Sequence, residues 1–274
     1  MYIIYDGKFI PSGDPIIPAG NRGLRYGDGL FETFRFINDK IPLVDEHFAR
    51  LWQGMQLLGF SIPVHFTPEM LIEKTRLLLQ KNKLDNARVR LTILRGNGGL
   101  YDPEDLFPHF ILETFPLPEH TGEWNSNGLE IGICESAIKS CDIFSNCKHN
   151  NFLPYLMAAM EAKNQKWNDA LVLNQYGRVC DSTIANLFLI KGDIILTPSL
   201  TEGCVAGVMR KHLLGVLRAH QFNVQEKGIS VDELMEADEV FLTNAIRILN
   251  WVGACGKKRF DNKMGKEIFS LIRE

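Results

Sequence analysis

The sequence predicts an α+β protein made of two mixed domains. Short alternating runs that end at turn residues indicate antiparallel strands, and helical runs lie between them in both halves of the chain. Near the middle, the segment PLPEHTGEW (116–124) has two prolines and no periodicity, as expected of a linker. With 274 residues and 45% apolar content, two cores of medium size can be buried. The elements do not follow the strict order of a doubly wound parallel sheet.

The first half begins with strands. The run 2–11 contains an Asp-Gly hairpin turn, and the run 31–44 turns at Asn38-Asp39, so we expect two hairpins there. Apolar residues at helical spacing over 44–60 and 67–83 predict two helices, the second with a Thr67 cap and Pro68 at its first position. Strand character returns in two further runs, ARVRLTILRG (87–96) and HFILETF (109–115).

The second half follows the linker and repeats this mixture. Its predicted elements are a strand at 129–138, a helix after Lys148, two hairpins at 170–181 and 186–198, a helix at 207–220, a strand at 239–245 and a final helix at 264–274. We therefore expect an N-terminal domain at residues 1–117, a linker at 118–124 and a C-terminal domain at 125–274.

Composition disfavours several function classes. Lys and Arg number 30 against 33 Asp and Glu, a net charge of −3, so we expect neither a nucleic-acid nor a membrane partner. Six cysteines without a C-x-x-C pair and scattered histidines argue against a metal site. Asp6 and Lys8 interrupt the start of the chain, which disfavours a signal peptide. A cytoplasmic protein that acts on a small molecule is the expectation.

Local motifs alone leave the chemistry open. The glycines of RYGDGLF (25–31) and RGNGGLY (95–101) do not have the spacing of a phosphate loop and predict turns, and no serine-hydrolase elbow occurs. Asp45 and Glu46 complement the dipole at a helix start. Lys148 lies among small polar residues before a helical run, where a solvated surface lysine is the ordinary interpretation.

The order of several blocks, however, resembles one family. These blocks are RYGDGLFETFR (25–35), DEHFARL (45–51), KHNN (148–151), GRVCDSTIANLF (177–188), TPSLTEGCVAGVMR (197–210) and ADEVFLTNAI (237–246). They are similar to the class IV aminotransferases, which are pyridoxal 5'-phosphate enzymes of fold type IV. The family includes branched-chain and D-amino acid aminotransferases and aminodeoxychorismate lyases. The resemblance implies their two-domain fold, with a larger cofactor-binding C-terminal domain, and a homodimer.

The resemblance also implies roles for individual residues. Lys148 matches the lysine that bonds to pyridoxal phosphate, and a lysine amine becomes nucleophilic when desolvation or nearby positive charge lowers its pKa. Asp181 matches a glutamate that faces the cofactor's ring nitrogen, although aspartate is one methylene shorter and could instead cap a turn. The remaining implied cofactor contacts are Arg50, Asn186, Gly207, Val208, Met209, Asn244 and Ala245. For Arg50, an ion pair with Asp45 or Glu46 is the alternative.

The reaction is less clear from the sequence. Thr33 matches a threonine of the lyases that is thought to assist proton transfer, but threonine is also a common strand residue. Arg95 resembles a lyase arginine near the substrate carboxylate, and Tyr26 and Arg35 are further candidate substrate contacts. Leu153 replaces a tyrosine of the branched-chain enzymes. The leading hypothesis is a 4-amino-4-deoxychorismate lyase of folate biosynthesis, the second is an aminotransferase for D- or branched-chain amino acids, and the third is a binding protein that has lost catalysis.

Overall fold

A computed structural model describes residues 1–273 of the chain, and Glu274, the last residue of the predicted final helix, lies outside them. Contacts between residues divide the chain into two compact units. The first comprises Met1–Glu119 with Cys147–Asn151, and the second comprises His120–Asn146 with Phe152–Glu274. The lysine segment 147–151 thus belongs to the first unit. The predicted domain and linker boundaries at residues 117 and 124 stay predictions.

The first unit contains an antiparallel sheet. Its strands are β1 (Tyr2–Tyr5), β2 (Lys8–Pro11), β3 (Gly29–Phe36), β4 (Ala87–Arg95) and β5 (Pro108–Phe115). They lie in the order β2-β1-β5-β4-β3, and the predicted Asp-Gly hairpin is confirmed as β1 and β2. The helices of this unit are α1 (Arg22–Tyr26), α2 (Val44–Leu57) and α3 (Pro68–Asn82), and the Thr67 cap of α3 is confirmed.

One face of this sheet carries the core of the first unit. Alternate residues of β4, namely Val89, Leu91 and Ile93, are fully buried there beside Phe34 of β3. Because side chains alternate along a strand, the residues between them lie on the opposite face of the sheet. That opposite face therefore carries Thr33, Arg35, Arg88 and Arg90, which makes it the polar face of the first sheet.

The lysine segment lies along the edge strand of this sheet. Phe31 N–H donates to Lys148 O at 2.9 Å, and Asn150 N–H donates to Gly29 O at 2.9 Å. Leu30 and His149 form an antiparallel bridge. The segment therefore extends the sheet beyond β3, which fixes the backbone position of Lys148 relative to the strand.

The predicted hairpin at residues 31–44 is only partly formed. The turn at Asn38 and Asp39 is confirmed, with φ values of 51° and 61°, but the returning chain contributes only a bridge between Ile37 and Lys40 before α2 begins at Val44. The prediction of a second strand in this hairpin is wrong, because Pro42 has no N–H to donate to a sheet ladder.

The second unit contains a larger mixed sheet. Its strands are β6 (Leu129–Lys139), β7 (Asp169–Asn174), β8 (Val179–Ser182), β9 (Asn186–Lys191), β10 (Ile194–Pro198), β11 (Asn223–Lys227), β12 (Glu239–Asn244), β13 (Ile248–Cys255) and β14 (Lys258–Arg259). The main order is β11-β10-β9-β12-β13-β6-β7-β8, with β14 paired to β13. The predicted hairpins are confirmed as β7-β8 and β9-β10.

The helices of the second unit are α4 (Leu153–Gln165), α5 (Val208–Ala219), α6 (Val231–Glu236) and α7 (Lys263–Arg273), with a 3-10 turn at Leu200–Glu202. The predicted α+β class is therefore confirmed. Within residues 1–273, no helix has both the length and the apolar character needed to cross a bilayer.

Candidate functional site

Lys148 lies against an aromatic side chain of the first unit. It is partly buried, and its Nζ lies 4.3 Å from the ring centroid of Phe31. The guanidinium of Arg90 lies 4.0 Å from the same centroid. Both cations therefore lie within cation–π distance of the Phe31 ring. The ordinary interpretation, a fully solvated surface lysine, does not describe this position.

Arginines dominate the polar face of the first sheet. Arg35 of β3 lies directly opposite Arg88 of β4, and Thr33 lies opposite Arg90. Arg35 is 9% exposed, and its Nε has no hydrogen-bond partner among residues 1–273. Glu113 approaches Arg90 only to 4.0 Å. Because facing like charges destabilise a sheet and a buried charge needs a counterion, this face is suited to bind an anion.

The predicted phosphate ligand Arg50 is part of a buried charge cluster. Its Nε and Nη2 donate to the two carboxylate oxygens of Glu32 at 2.8 and 2.7 Å, and His47 Nδ1 lies 2.8 Å from the same carboxylate. Burial alone would raise the pKa of Glu32, but Arg50 and His47 outweigh it and lower that pKa to about 2. Arg50 therefore pairs with Glu32, where the alternative expectation was an ion pair with Asp45 or Glu46. Its phosphate role stays a prediction.

Arg95, an expected substrate contact, has several partners within the first unit. It lies on the core face of β4, where its Nε donates to both oxygens of Asp28 at 3.1 and 3.0 Å. Its terminal nitrogens donate to Leu58 O and Gly59 O, and the guanidinium stacks on Phe60. Strand alternation directs Arg95 away from Thr33, and its substrate role stays a prediction.

Tyr26 is the last residue of α1 and is 42% exposed. The guanidinium of Arg22 lies 5.5 Å from its ring centroid. The structure therefore leaves Tyr26 accessible to a ligand, and its substrate role stays a prediction.

Asp181 is buried in the second unit and held from several directions. Its Oδ2 accepts hydrogen bonds from Tyr155 Oη at 2.7 Å and from Val205 N–H at 2.8 Å. Its Oδ1 accepts one bond, from Asn186 Nδ2 at 2.8 Å. Since a carboxylate oxygen can accept two hydrogen bonds, Oδ1 retains room for one more donor. Asp181 thus holds the loop before α5 and does not merely cap its own turn.

The start of α5 is shaped by a close contact. Gly207 is its N-cap and provides no side-chain capping bond for the following backbone N–H groups of Val208 and Met209. A Cβ on Gly207 would lie 1.8 Å from Asn186 Oδ1, so any larger residue here must displace the Asn186 amide. An uncapped helix start with the positive end of the helix dipole behind it is suited to bind a phosphate.

Asn244 ends β12 and shapes the loop that follows. Its Oδ1 accepts hydrogen bonds from Ile246 N–H at 3.0 Å and Arg247 N–H at 2.8 Å. These bonds form a turn that contains Ala245. The predicted contact of Asn244 and Ala245 with the cofactor phosphate stays a prediction.

Comparison with known proteins identifies the family. The model of the amino-transferase class IV family matches residues 29–252. The chain belongs to this family. It is 29% identical over 259 residues to an aminodeoxychorismate lyase of Vibrio harveyi, covering 94% of this chain and 93% of that protein. It is 27% identical to a putative branched-chain-amino-acid aminotransferase of Methanocaldococcus jannaschii, covering 100% and 94%.

The fold comparison agrees with this assignment. The crystal structure of 4-amino-4-deoxychorismate lyase from Pseudomonas aeruginosa matches with a TM-score of 0.85 and 27% identity, covering 99% of this chain and 98% of that one. This member of the class IV aminotransferase family therefore has the two-domain fold type IV architecture, and it is a pyridoxal-phosphate-dependent enzyme.

The residues of the class IV chain fit that cofactor by their chemistry. Asp181 offers an ionisable oxygen with room for a ring N–H, and the uncapped start of α5 offers backbone N–H donors for a phosphate. Lys148 offers a primary amine in a partly apolar environment. Each group matches a different part of pyridoxal phosphate.

Sequence reasoning missed four residues of these arrangements. Lys139 and Tyr155 lie beside Asp181, and Arg88 and Arg90 lie beside Arg35. The alternation of β4 could have placed Arg88 and Arg90 on the face of Thr33, because the apolar residues between them indicate the core face. Tyr155 instead has the helical spacing of an ordinary core residue and gave no signal.

Proposed function

We propose that this class IV enzyme is a 4-amino-4-deoxychorismate lyase, which releases pyruvate and 4-aminobenzoate for folate biosynthesis. The observation that carries the proposal is the arginine-rich polar face of the first sheet. The substrate has two carboxylates, and Arg35, Arg88 and Arg90 provide positive charge on the face that carries Thr33. A simple branched-chain or D-amino acid has one carboxylate and would leave part of this charge unpaired.

Pyridoxal phosphate, when bound, supplies an aromatic ring that accepts the electrons left on the substrate carbon after a proton is lost. We propose that Lys148 would hold the cofactor until the substrate amine takes its place, and that the freed Lys148 amine would then take the proton from the carbon bearing the substrate amine. Thr33 assists transfer of a proton to the departing group. The substrate then divides into 4-aminobenzoate and pyruvate, so that no oxidant and no keto-acid acceptor is needed.

The other proposed contacts hold the cofactor. Asp181 accepts the hydrogen bond of the ring nitrogen and keeps it protonated, and Asn186 fixes the Asp181 carboxylate. The phosphate is bound by Arg50, by the backbone of Gly207, Val208 and Met209, and by the turn at Asn244 and Ala245. Arg35 and Tyr26 contact the substrate. Because Glu32 already fixes Arg50, that guanidinium needs little reorganisation to meet a phosphate.

The purified enzyme tests the activity directly. Incubation with 4-amino-4-deoxychorismate and no keto acid is expected to yield pyruvate and 4-aminobenzoate in equal amounts. In Arg88→Gln and Arg90→Gln we expect KM to rise about 10-fold to 100-fold, since a hydrogen bond to a charged group contributes about 1.5–3 kcal/mol. Arg76→Gln, an exposed arginine of α3, is the control and should leave KM unchanged.

The second candidate is transamination of D- or branched-chain amino acids, which the similarity to the archaeal aminotransferase favours. Product that forms only when a keto acid is present would establish this activity and reject the lyase. Both activities use Lys148, so the acceptor requirement separates them where loss of Lys148 would not.

We further propose that the enzyme is a homodimer that works in the cytoplasm. On α4, Leu153, Leu156, Met157 and Met160 recur at helical spacing and are 38–59% exposed, which supports a protein-covered surface. Leu156→Glu with Met160→Glu is expected to halve the mass measured by light scattering. Val64→Glu, at an equally apolar position that is 97% exposed, should not change it. The six cysteines without C-x-x-C spacing support a reducing compartment.

A further inference from the structure

Lys139 is a buried cation that the proposed reaction does not use. It ends β6 and is 5% exposed, although lysines are almost never buried without a partner. Its Nζ lies 3.6 Å from Asp181 Oδ2. Lys139 therefore forms a buried ion pair with the carboxylate that we assign to the cofactor's ring nitrogen.

Tyr155 connects this pair. Lys139 Nζ donates a hydrogen bond to the Tyr155 hydroxyl, and that hydroxyl donates to Asp181 Oδ2 at 2.7 Å. The hydroxyl has a single hydrogen, so accepting from Lys139 commits that hydrogen to Asp181. Tyr155 is 4% exposed, and its ring stacks on Phe152 with centroids 4.4 Å apart. The hydrogen bonds therefore run in one direction, from Lys139 through Tyr155 to Asp181.

The groups around Asp181 have opposing effects on the pKa of its carboxylate. Burial raises the pKa of Asp181, and the positive charge of Lys139 is the largest effect that opposes this rise. Burial also raises the pKa of the Tyr155 hydroxyl and the Cys180 thiol well above their ordinary values, and that of Cys204 to about 12. These three groups are neutral at physiological pH. Lys139 is thus the group that compensates a negative charge on Asp181.

We propose that Lys139 and Tyr155 are positioning residues that keep Asp181 ionised and hold its Oδ2, leaving Oδ1 directed for the ring nitrogen of pyridoxal phosphate. The ring-nitrogen part rests on the proposed function, whereas the effect on Asp181 does not. Aspartate is shorter than the glutamate at the matching family position, so its carboxylate has fewer rotamers but less reach. Bonds from Tyr155 and Val205 to Oδ2 fix its direction.

The first experiment measures Asp181 in the full-length chain without cofactor. Carbon NMR of labelled aspartate carboxyls, assigned with Asp181→Asn, follows its titration. We expect Lys139→Met to raise the Asp181 pKa by about 1–3 units, the usual effect of losing an adjacent opposite charge. Lys139→Arg should restore most of the wild-type value. Lys163→Met, an exposed lysine of α4, is the control and should have no effect.

Tyr155→Phe keeps the stacked ring and removes only the hydroxyl. It should also raise the Asp181 pKa, by less than Lys139→Met, because one hydrogen bond to the carboxylate is lost. If Lys139→Met does not fold, Tyr155→Phe alone tests whether these two residues keep Asp181 ionised. An unchanged Asp181 pKa in Tyr155→Phe, or in a folded Lys139→Met protein, overturns the inference.

The second experiment uses pyridoxal phosphate labelled with nitrogen-15 in its ring. In the wild type we expect the chemical shift of a protonated ring nitrogen at pH 7.5. In Lys139→Met we expect a shift toward the unprotonated nitrogen and about 10-fold weaker cofactor binding, with rescue by Lys139→Arg. A ring-nitrogen signal that is identical in Lys139→Met and the wild type rejects the positioning role. A wild-type protein that binds no pyridoxal phosphate rejects the proposed function instead, and the carboxyl titration still decides the role of Lys139.

Discussion

Replacement of Glu32 by glutamine tests how the first unit holds Arg50. The pKa of Glu32 is lowered from its ordinary value of 4.5 to about 2, so the folded state favours the charged carboxylate by roughly 2.5 units. At roughly 1.4 kcal/mol per unit, this corresponds to about 3 kcal/mol of folding free energy. Because the folded-state pKa is lowered, that stabilisation is present above pH 4.5 and is lost as the pH falls toward 2.

Chemical denaturation of the cofactor-free protein between pH 2 and 7 measures this effect. Over that range, the wild type should lose about 3 kcal/mol more unfolding free energy than Glu32→Gln, since other carboxylates titrate in both proteins. At pH 7 the variant should be less stable by about 3–5 kcal/mol, because Arg50 and His47 lose a buried charged partner. Glu73→Gln, an exposed position of α3, should follow the wild type.

The same pH dependence in Glu32→Gln and the wild type would refute this reasoning. If the variant is too unstable to measure, carbon NMR of the Glu32 carboxyl in the wild type provides the pKa directly. A value near 4.5 would then show that Arg50 and His47 do not hold the carboxylate in its charged form, and the preorganised position of Arg50 would lose its basis.

Two further perturbations test other parts of the chain. Gly207→Ala should weaken pyridoxal phosphate binding about 10-fold or more, because its methyl group displaces the Asn186 amide. Gly215→Ala in α5 has open space around it and should stabilise the fold by up to about 1 kcal/mol. Fluorescence titration measures the cofactor binding, and thermal unfolding measures the stability. Hydrogen bonds with Asp6 and then Asp105 raise the pKa of His109 to about 9. The stabilisation of the fold by charged His109 should therefore be complete below pH 6.5 and lost as the pH rises through 9. Proton NMR that places the His109 titration near 6.5 would contradict this.

Much of the fold could be predicted from local patterns. The turns at Gly177 and Gly192 require positive φ values of 71° and 60°, and glycine between alternating runs indicates such turns. The helix that begins behind Thr67 likewise has its capping residue and proline in the sequence. These elements are determined within a few residues, so a single sequence is sufficient to predict them.

The partners of the candidate site residues could not be predicted in the same way. Glu32 and Arg50 lie on a strand and on the following helix, and Asp181 meets Tyr155 across 26 residues of chain. Such pairs depend on how elements pack, which hydrophobic periodicity does not specify. Arg95 likewise meets Asp28 across 67 residues of chain, although the alternation of β4 already indicates that it lies on the core face.

The bridge between Leu30 and His149 has a consequence for the order in which the protein can be completed during translation. The outer edge of β3 is paired by a segment more than a hundred residues farther along the chain. A nascent chain that has emerged only to Glu119 therefore exposes unpaired backbone groups along that strand, where another chain could add. Synthesis must proceed past Asn151 before the first sheet is protected, which makes the interval between these two points the period of greatest exposure to aggregation.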